Sequence, residues 1–148
     1  HELFIRLEEL LQEMSPYAWR EMVSVASSIL ARAGGREDRS TREGRLVCEV
    51  IRICSENCGD PDLNVNSIAE QLKVNRSTLR RIFQEKMKIA PSQYLSRMRI
   101  QRALSLLQET ILPVSEVAKE CGFTDESYFS RVIRRSVGDT PKRFRERA

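Results

Sequence analysis

Several residue patterns that enzymes and membrane proteins depend on are missing from this sequence. The only histidine is residue 1, and we find no Ser/His/Asp set, no His–Cys cluster and no glycine-rich phosphate loop. No apolar run approaches the roughly 20 residues of a membrane-spanning helix. No signal sequence is visible either, although the chain starts with His rather than Met and we expect a longer parent chain. We predict that the protein is not an enzyme.

Cysteine is scarce, and its spacing does not indicate a metal site. The four cysteines contain no CxxC pair, and Cys54 and Cys58 stand four apart, as on one helix face, with Cys48 earlier. Zinc sites favour four ligands at tighter spacing, whereas free cysteine commonly packs as a small apolar residue in reducing compartments. We predict buried thiols there and at Cys121, with no metal and no cofactor; a metal or redox sensor is the alternative.

Charge is unevenly distributed along the chain. The net charge is +4, but residues 1–40 hold five basic and seven acidic residues, and residues 41–64 hold three and five. Residues 65–148 hold seventeen basic and nine acidic residues, a net charge of +8. A basic excess confined to one half of a chain is expected where that half faces a polyanion.

The first 40 residues predict a helical extension. Leu3, Leu7, Leu10 and Leu11 form one apolar stripe, and a second stripe around Trp19 ends at two glycines. Two helices have too little core to stand alone, so this section must pack on something. We interpret it as the tail of a sensor domain, a dimerisation hairpin or a packing extension.

Residues 114–144 contain a helix-turn-helix pattern. Apolar residues at helical spacing lead to Gly122, which suits the left-handed conformation of a tight turn. A second helix follows, with Thr124 as the expected N-cap and Tyr128, Phe129, Val132 and Ile133 as its buried face. A short helix, a turn and a longer basic helix allow the second helix to lie in a DNA major groove.

The same pattern occurs earlier in the chain, so the unit is repeated. An offset of 49 residues places Val65 on Val114, and an offset of 50 beyond the turn places Ser77 on Ser127 and Pro91 on Pro141. One residue inserted in the turn explains the change of offset. An internal repeat of this quality supports both copies.

The remaining segments complete an all-α fold. We predict a helix that ends near Asn57, a cap at Asn64, a first helix-turn-helix unit at about 65–87, a linker helix at about 91–109 and a second unit at about 114–137. The linker helix would span roughly 28 Å at ~1.5 Å per residue, nearly the ~34–36 Å between successive major grooves on one face of DNA. The predicted architecture is therefore two tandem units joined by a long helix, residues 41–148, preceded by the extension at 1–40.

Three motifs resemble the DNA-binding domain of the AraC/XylS transcription regulators: AKECGF at 118–123, SYFSR at 127–131 and GDTPKRFR at 138–145. The resemblance covers roughly residues 41–147. Lys88 stands where that family usually has glycine, and Ile133 where it usually has phenylalanine. The resemblance implies a bacterial cytoplasmic, nucleoid-associated regulator that binds double-stranded DNA and RNA polymerase, an activator in most members. It leaves a homodimer possible, through the N-terminal helices or a missing sensor domain.

The expected contacts to DNA lie on the two second helices and beyond. Arginine can bridge guanine O6 and N7 with two hydrogen bonds. Exposed positions and the resemblance together give these candidates for base contacts: Arg76, Ser77, Arg80, Arg81, Glu126, Ser127 and Arg131. The candidates for phosphate contacts are Thr78, Tyr128, Ser130, Arg134, Arg135, Lys142, Arg143 and Arg145.

Some assignments have alternatives. An arginine of the first unit can pair with Glu85 or Glu70 instead, and Glu126 can simply complement the helix dipole. Arg97, Arg99 and Arg102 on the linker helix either touch phosphates or are solvated or paired within the protein. For the chain as a whole, the alternatives are a protein-interaction module and a thiol-based sensor fused to a non-specific DNA binder.

Overall fold

The structure of the protein is a computed structural model, which describes the backbone of residues 39–147 and the side chains of residues 42–147. The helical extension expected at residues 1–40 lies almost entirely outside the described residues. Within residues 39–147 the fold is all-helical, without a strand, as predicted. Its helices are α1 Arg39–Asn57, α2 Val65–Gln71, α3 Arg76–Met87, α4 Pro91–Glu109, α5 Val114–Glu120, α6 Glu126–Val137 and α7 Pro141–Arg147. None of these helices is long and apolar enough to cross a bilayer.

Local signals in the sequence account for where helices begin. The Asn64 side chain accepts hydrogen bonds from the backbone N–H groups of Asn66 and Ser67, and the Ser67 hydroxyl accepts one from the Asn64 backbone. This reciprocal capping box satisfies N–H groups that the first turn of α2 leaves without helical partners. α4 and α7 instead begin at Pro91 and Pro141, where the missing N–H of proline costs nothing.

The described chain divides into two compact units. The first contains the described residues up to Glu56 together with Asn64–Tyr94, and the second contains Asn57–Leu63 together with the residues from Leu95 onward. The division therefore falls inside α4, after Tyr94. In the first unit the Tyr94 ring meets the Phe83 ring edge-on, with centroids 5.6 Å apart, and both side chains are buried.

One apolar cluster forms the core of the second unit. It joins the C-terminal half of α4 to both helices of the second helix-turn-helix, and Phe144 of α7 packs against it. Phe123, in the turn, meets the Phe129 ring of α6 edge-on with centroids 5.1 Å apart. The buried members of the cluster are Ala103, Leu107, Val117, Ala118, Cys121, Phe123, Phe129 and Ile133.

All four cysteines are buried and none of them forms a disulfide; two lie in each unit. Cys58 follows the end of α1, so it does not continue the helical face of Cys48 and Cys54 as its spacing predicted. Burial raises the pKa of the Cys48 thiol to about 11 and that of Cys121 to about 12. Thiols with such pKa values carry almost no thiolate at neutral pH, which supports the packing interpretation over a reactive sensor. Among the described residues no group of His, Cys, Asp or Glu is arranged to hold a metal ion.

Candidate nucleic-acid interface

The first helix-turn-helix unit consists of α2, a short turn and α3. Lys73 in the turn has φ +52°, the left-handed region, and Asn75 caps α3 by accepting a hydrogen bond from the Ser77 backbone N–H. Along α3 the apolar residues Leu79, Ile82 and Phe83 are buried. The side chains predicted to meet DNA from this helix are all exposed: Arg76, Ser77, Thr78, Arg80 and Arg81.

These exposed side chains differ in how they are engaged within the protein. Nη1 of Arg81 donates to both carboxylate oxygens of Glu85, at 3.1 and 3.0 Å. The Ser77 hydroxyl donates to the Asn75 side chain at 2.7 Å. Arg76 and Arg80 have no hydrogen bond or ion pair with the described part of the chain. The internal pairing anticipated for one arginine thus falls on Arg81, and its partner is Glu85.

The second unit consists of α5, a turn at Gly122 and α6. Gly122 adopts φ +75°, the left-handed turn that its position predicted. The N-cap of α6 is Asp125, whose carboxylate accepts a hydrogen bond from the Tyr128 backbone N–H at 2.7 Å, so the expectation of Thr124 was wrong by one residue. Both residues can cap a helix, and here the carboxylate also complements the positive end of the helix dipole.

Tyr128 is the clearest departure from the expected buried face of α6. Phe129 and Ile133 are buried and Val132 is partly buried, but 53% of Tyr128 is exposed. Its ring centroid lies 6.2 Å from that of Phe123, and the Arg131 guanidinium carbon lies 5.9 Å from the Tyr128 centroid, within cation–π range. Glu126, Ser127 and Arg131 are exposed beside it, and Ser130 is half-buried.

The candidate phosphate contacts fall into two groups. Four basic side chains are exposed and form no hydrogen bond or ion pair with the described residues: Arg134, Arg135, Lys142 and Arg143. Arg145 is partly buried, and its guanidinium donates from Nε to the Leu107 carbonyl at 3.2 Å and from Nη2 to the Leu112 carbonyl at 2.6 Å. Arg145 therefore holds the loop between α4 and α5. Sequence spacing cannot predict these hydrogen bonds, because the two carbonyls are more than 30 residues away in the chain.

The linker-helix arginines are used mainly inside the second unit. Arg99 donates to the backbone carbonyls of Cys58, Asp60 and Leu63 at 2.9, 2.6 and 3.1 Å. Arg102 lies 3.7 Å from the Glu120 carboxylate, and Arg97 is exposed. Of the two interpretations of these residues, internal pairing therefore holds for Arg99 and Arg102.

The family glycine missing at residue 88 does not change the turn. Lys88 caps the C-terminal end of α3 with φ +57°, and Gly138, fifty residues later, caps α6 with φ +80°. A lysine in the left-handed region costs conformational energy that a glycine avoids. The other departure, Ile133, is completely buried, as a core position requires.

Comparison with known proteins agrees with this geometry. A family model described as a helix-turn-helix domain matches residues 68–147. The HTH-type transcriptional activator RhaS of Escherichia coli O139:H28 is 32% identical over 129 residues, which are 87% of this chain and 46% of that protein. The chain spans about half the length of the curated relatives it matches.

Solved structures show the same fold. The C-terminal domain of AraT, a response regulator from Geobacillus stearothermophilus, superposes with a TM-score of 0.68 at 27% identity, covering 70% of this chain and 85% of that one. The DNA-binding domain of AdpA, a global transcriptional factor solved in complex with a target DNA, has a TM-score of 0.64 at 29% identity, covering 68% and 89%. With two helix-turn-helix units and these relatives, the chain belongs to the AraC/XylS family of DNA-binding transcription regulators.

Proposed function

We propose that this chain is a sequence-specific transcription activator that reads two successive major grooves with α3 and α6. The observation that carries the proposal is the division of side chains on α3, where the apolar residues are buried and Arg76 and Arg80 are exposed and unpaired within the described chain. Unpaired guanidinium groups are available for the bidentate contact to guanine. α6 contributes Glu126, Ser127 and Arg131 in the corresponding positions.

The bases read by the two helices should differ. The candidate base readers of α3 include three arginines, whereas those of α6 are one arginine, one serine and one acid that can accept from cytosine N4. Ser127 is short and suits a water-mediated contact. We therefore propose an asymmetric site of about 20 base pairs, bound by a single chain, in which the α3 half carries most of the sequence preference.

The unpaired basic residues in the last turn of α6 and on α7 suit the phosphate backbone. Arg134, Arg135, Lys142 and Arg143 are exposed and carry no partner within the described chain, so they can neutralise phosphates without reading sequence. We also propose phosphate contacts from three uncharged side chains: Thr78, Tyr128 and Ser130. Arg145 remains a proposed phosphate contact, but only through those guanidinium N–H groups that do not donate to the Leu107 and Leu112 carbonyls.

Selection of bound fragments from genomic DNA, followed by footprinting, tests the binding proposal. We expect one asymmetric motif and a footprint of two adjacent major-groove faces on one side of the duplex. A strictly two-fold symmetric footprint, with one helix-turn-helix unit per half-site, would contradict it. Binding that depends on salt but not on sequence would instead favour the non-specific alternative.

Activation and its partners are part of the same proposal. RhaS is described as a transcriptional activator, and activation by this chain would require contact with RNA polymerase. Transcription in vitro from a promoter that carries the selected site, with and without the protein, separates activation from repression. A dimer through residues 1–40 or through further sequence is also proposed, and sedimentation at several protein concentrations measures it.

A further inference from the structure

Glu85 is the only acidic residue on the first recognition helix, α3. The helix carries basic residues at Arg76, Arg80, Arg81 and Lys86, as expected for a surface that meets DNA. The Glu85 carboxylate accepts two hydrogen bonds from Nη1 of Arg81, one turn earlier. Their side chains are 53% and 47% exposed, so the pair lies on the surface that also carries the candidate readers.

Neither helix stability nor helix electrostatics explains an acid at this position. Glu85 lies in the last turn of α3, where the macrodipole favours cations and disfavours carboxylates. Exposed ion pairs contribute little to stability, and the order Arg then Glu along a helix is the weaker one. Fifty residues later, the matching position of α6 is Arg135, the charge that a helix C-terminus prefers.

The pair sets up a competition for one guanidinium group. Arg81 can donate its hydrogen bonds to the Glu85 carboxylate or to O6 and N7 of a guanine. A guanine in the right position accepts two directed hydrogen bonds from Arg81, and these replace the two that Arg81 donates to Glu85. Unrelated DNA need not present this pair of acceptors at the same position, and Arg81 then keeps its hydrogen bonds to Glu85.

We propose that Glu85 is a specificity-determining residue, which holds Arg81 in the absence of a matching guanine and so lowers affinity for unrelated DNA. This inference rests on the proposed function, in which α3 reads bases. Discrimination between DNA sites is a difference of affinities, and a repulsive element that acts on the wrong site increases it as effectively as a new contact to the right one. Glu85 supplies that element.

The test is Glu85→Gln in the full chain, titrated against the selected duplex and a scrambled duplex at several salt concentrations. Glutamine keeps the size of the side chain and removes the charge. We expect affinity for the scrambled duplex to rise about three- to fivefold and affinity for the selected duplex to change by less than about twofold. The ratio of selected to scrambled affinity should therefore fall, while the thermal unfolding temperature should not change.

Two further variants isolate the Arg81–Glu85 pair. Glu56→Gln removes the same charge from an Arg–Glu pair of the same spacing, Arg52–Glu56 on α1 at 2.7 Å, and should leave the ratio unchanged. Adding Glu85→Gln to an Arg81→Ala chain should also leave the ratio unchanged, because the coupling needs both partners. Equal tightening of both duplexes by Glu85→Gln, or the same effect without Arg81, overturns the inference. A wild-type chain that binds both duplexes equally overturns the proposed function itself, and this inference with it.

Discussion

Gly59 and Glu120 approach each other so closely that a Cβ atom added to Gly59 would lie 2.6 Å from the Glu120 carbonyl oxygen. Gly59 belongs to the loop after α1, and Glu120 ends α5, the first helix of the second helix-turn-helix. A second close approach lies next to it, since a Cβ atom on Gly122 would lie 2.8 Å from the Cys58 carbonyl oxygen. The loop that follows α1, at residues 58–63, is thus packed backbone to backbone against the turn that leads into α6.

Gly59→Ala should therefore destabilise the protein by about 1–3 kcal/mol, the usual cost of forcing extra atoms into a packed site. Backbone rather than a flexible side chain occupies the space, so relief requires the loop or the end of α5 to move. Urea unfolding followed by circular dichroism measures the change. Gly138→Ala is the control, because a Cβ atom there meets nothing within 4 Å and only the left-handed φ opposes it. Equal losses in the two variants would contradict the steric argument.

Arg145→Ala should lower stability as well as DNA affinity. The guanidinium holds the Leu107 and Leu112 carbonyls, and hydrogen bonds from charged groups contribute about 1.5–3 kcal/mol when partly buried. Lys142→Ala, on the same helix but exposed and unpaired within the described residues, should change unfolding by less than about 0.5 kcal/mol. Thermal unfolding of both variants without DNA makes the comparison. If Arg145→Ala leaves the unfolding curve unchanged, Arg145 does not stabilise the loop, and only its proposed phosphate contact remains.

Arg80→Ala and Lys142→Ala should affect DNA binding in different ways. Arg80 is a proposed base reader, so its loss should cost about 1–3 kcal/mol on the selected site and relax the base preference at one position. Lys142 is a proposed phosphate contact, so its loss should weaken selected and scrambled duplexes alike and lower the salt slope by about one. Titrations at several salt concentrations distinguish the two patterns. If Arg80→Ala weakens both duplexes equally, Arg80 does not read a base.

Alkaline pH should destabilise the fold through its buried thiols. The pKa of Cys121 is raised by burial to about 12 from an ordinary value of 9.0, and that of Cys48 to about 11. The unfolded chain therefore loses these protons first, so this contribution to stability is complete below about pH 9 and disappears as pH rises toward the folded-state values. Between pH 9 and 10 each thiol should lower the free energy of unfolding by roughly 1 kcal/mol. Unfolding measured from pH 8 to 10.5 should show a shallower decline for Cys121→Ala, although that variant starts less stable.

A chain that begins at Arg39 should fold and bind DNA nearly as well as the full chain. α1 begins there and carries the buried residues Val50, Ile51 and Cys54 into the first unit. A chain that begins at Cys58 lacks α1 and should lose the first unit. Circular dichroism and DNA titration compare the two, and sedimentation shows whether any dimer of the full chain is lost with residues 1–38. If the chain that begins at Arg39 fails to fold, the proposed boundary near residue 40 is wrong.

The helices and their order could be read from the sequence because the signals that define them are local. Apolar spacing, the Asn64 cap and Pro91 act within one or two helical turns, and each is found where it was predicted. The last helix, α7, which begins at Pro141, was not predicted. The repeat then reinforced each assignment with a second copy. Local signals did not decide between Thr124 and Asp125, two neighbours that can both cap α6, and the N-cap in the structure is Asp125.

The environment of each side chain was decided by tertiary structure alone. Arg99 and Arg145 bind backbone carbonyls 33 to 41 residues away, and Gly59 meets Glu120 across 61 positions, distances at which sequence spacing carries no information. Tyr128 stands at a position that helical spacing alone cannot separate from the buried face, yet the core is filled by Phe129 and Ile133 and leaves its ring exposed beside Arg131. The sequence determined that two helix-turn-helix units form and that their second helices are basic. Which arginines remain unpaired for DNA and which hold the protein together depended on carbonyls and carboxylates that only the folded chain brings within reach.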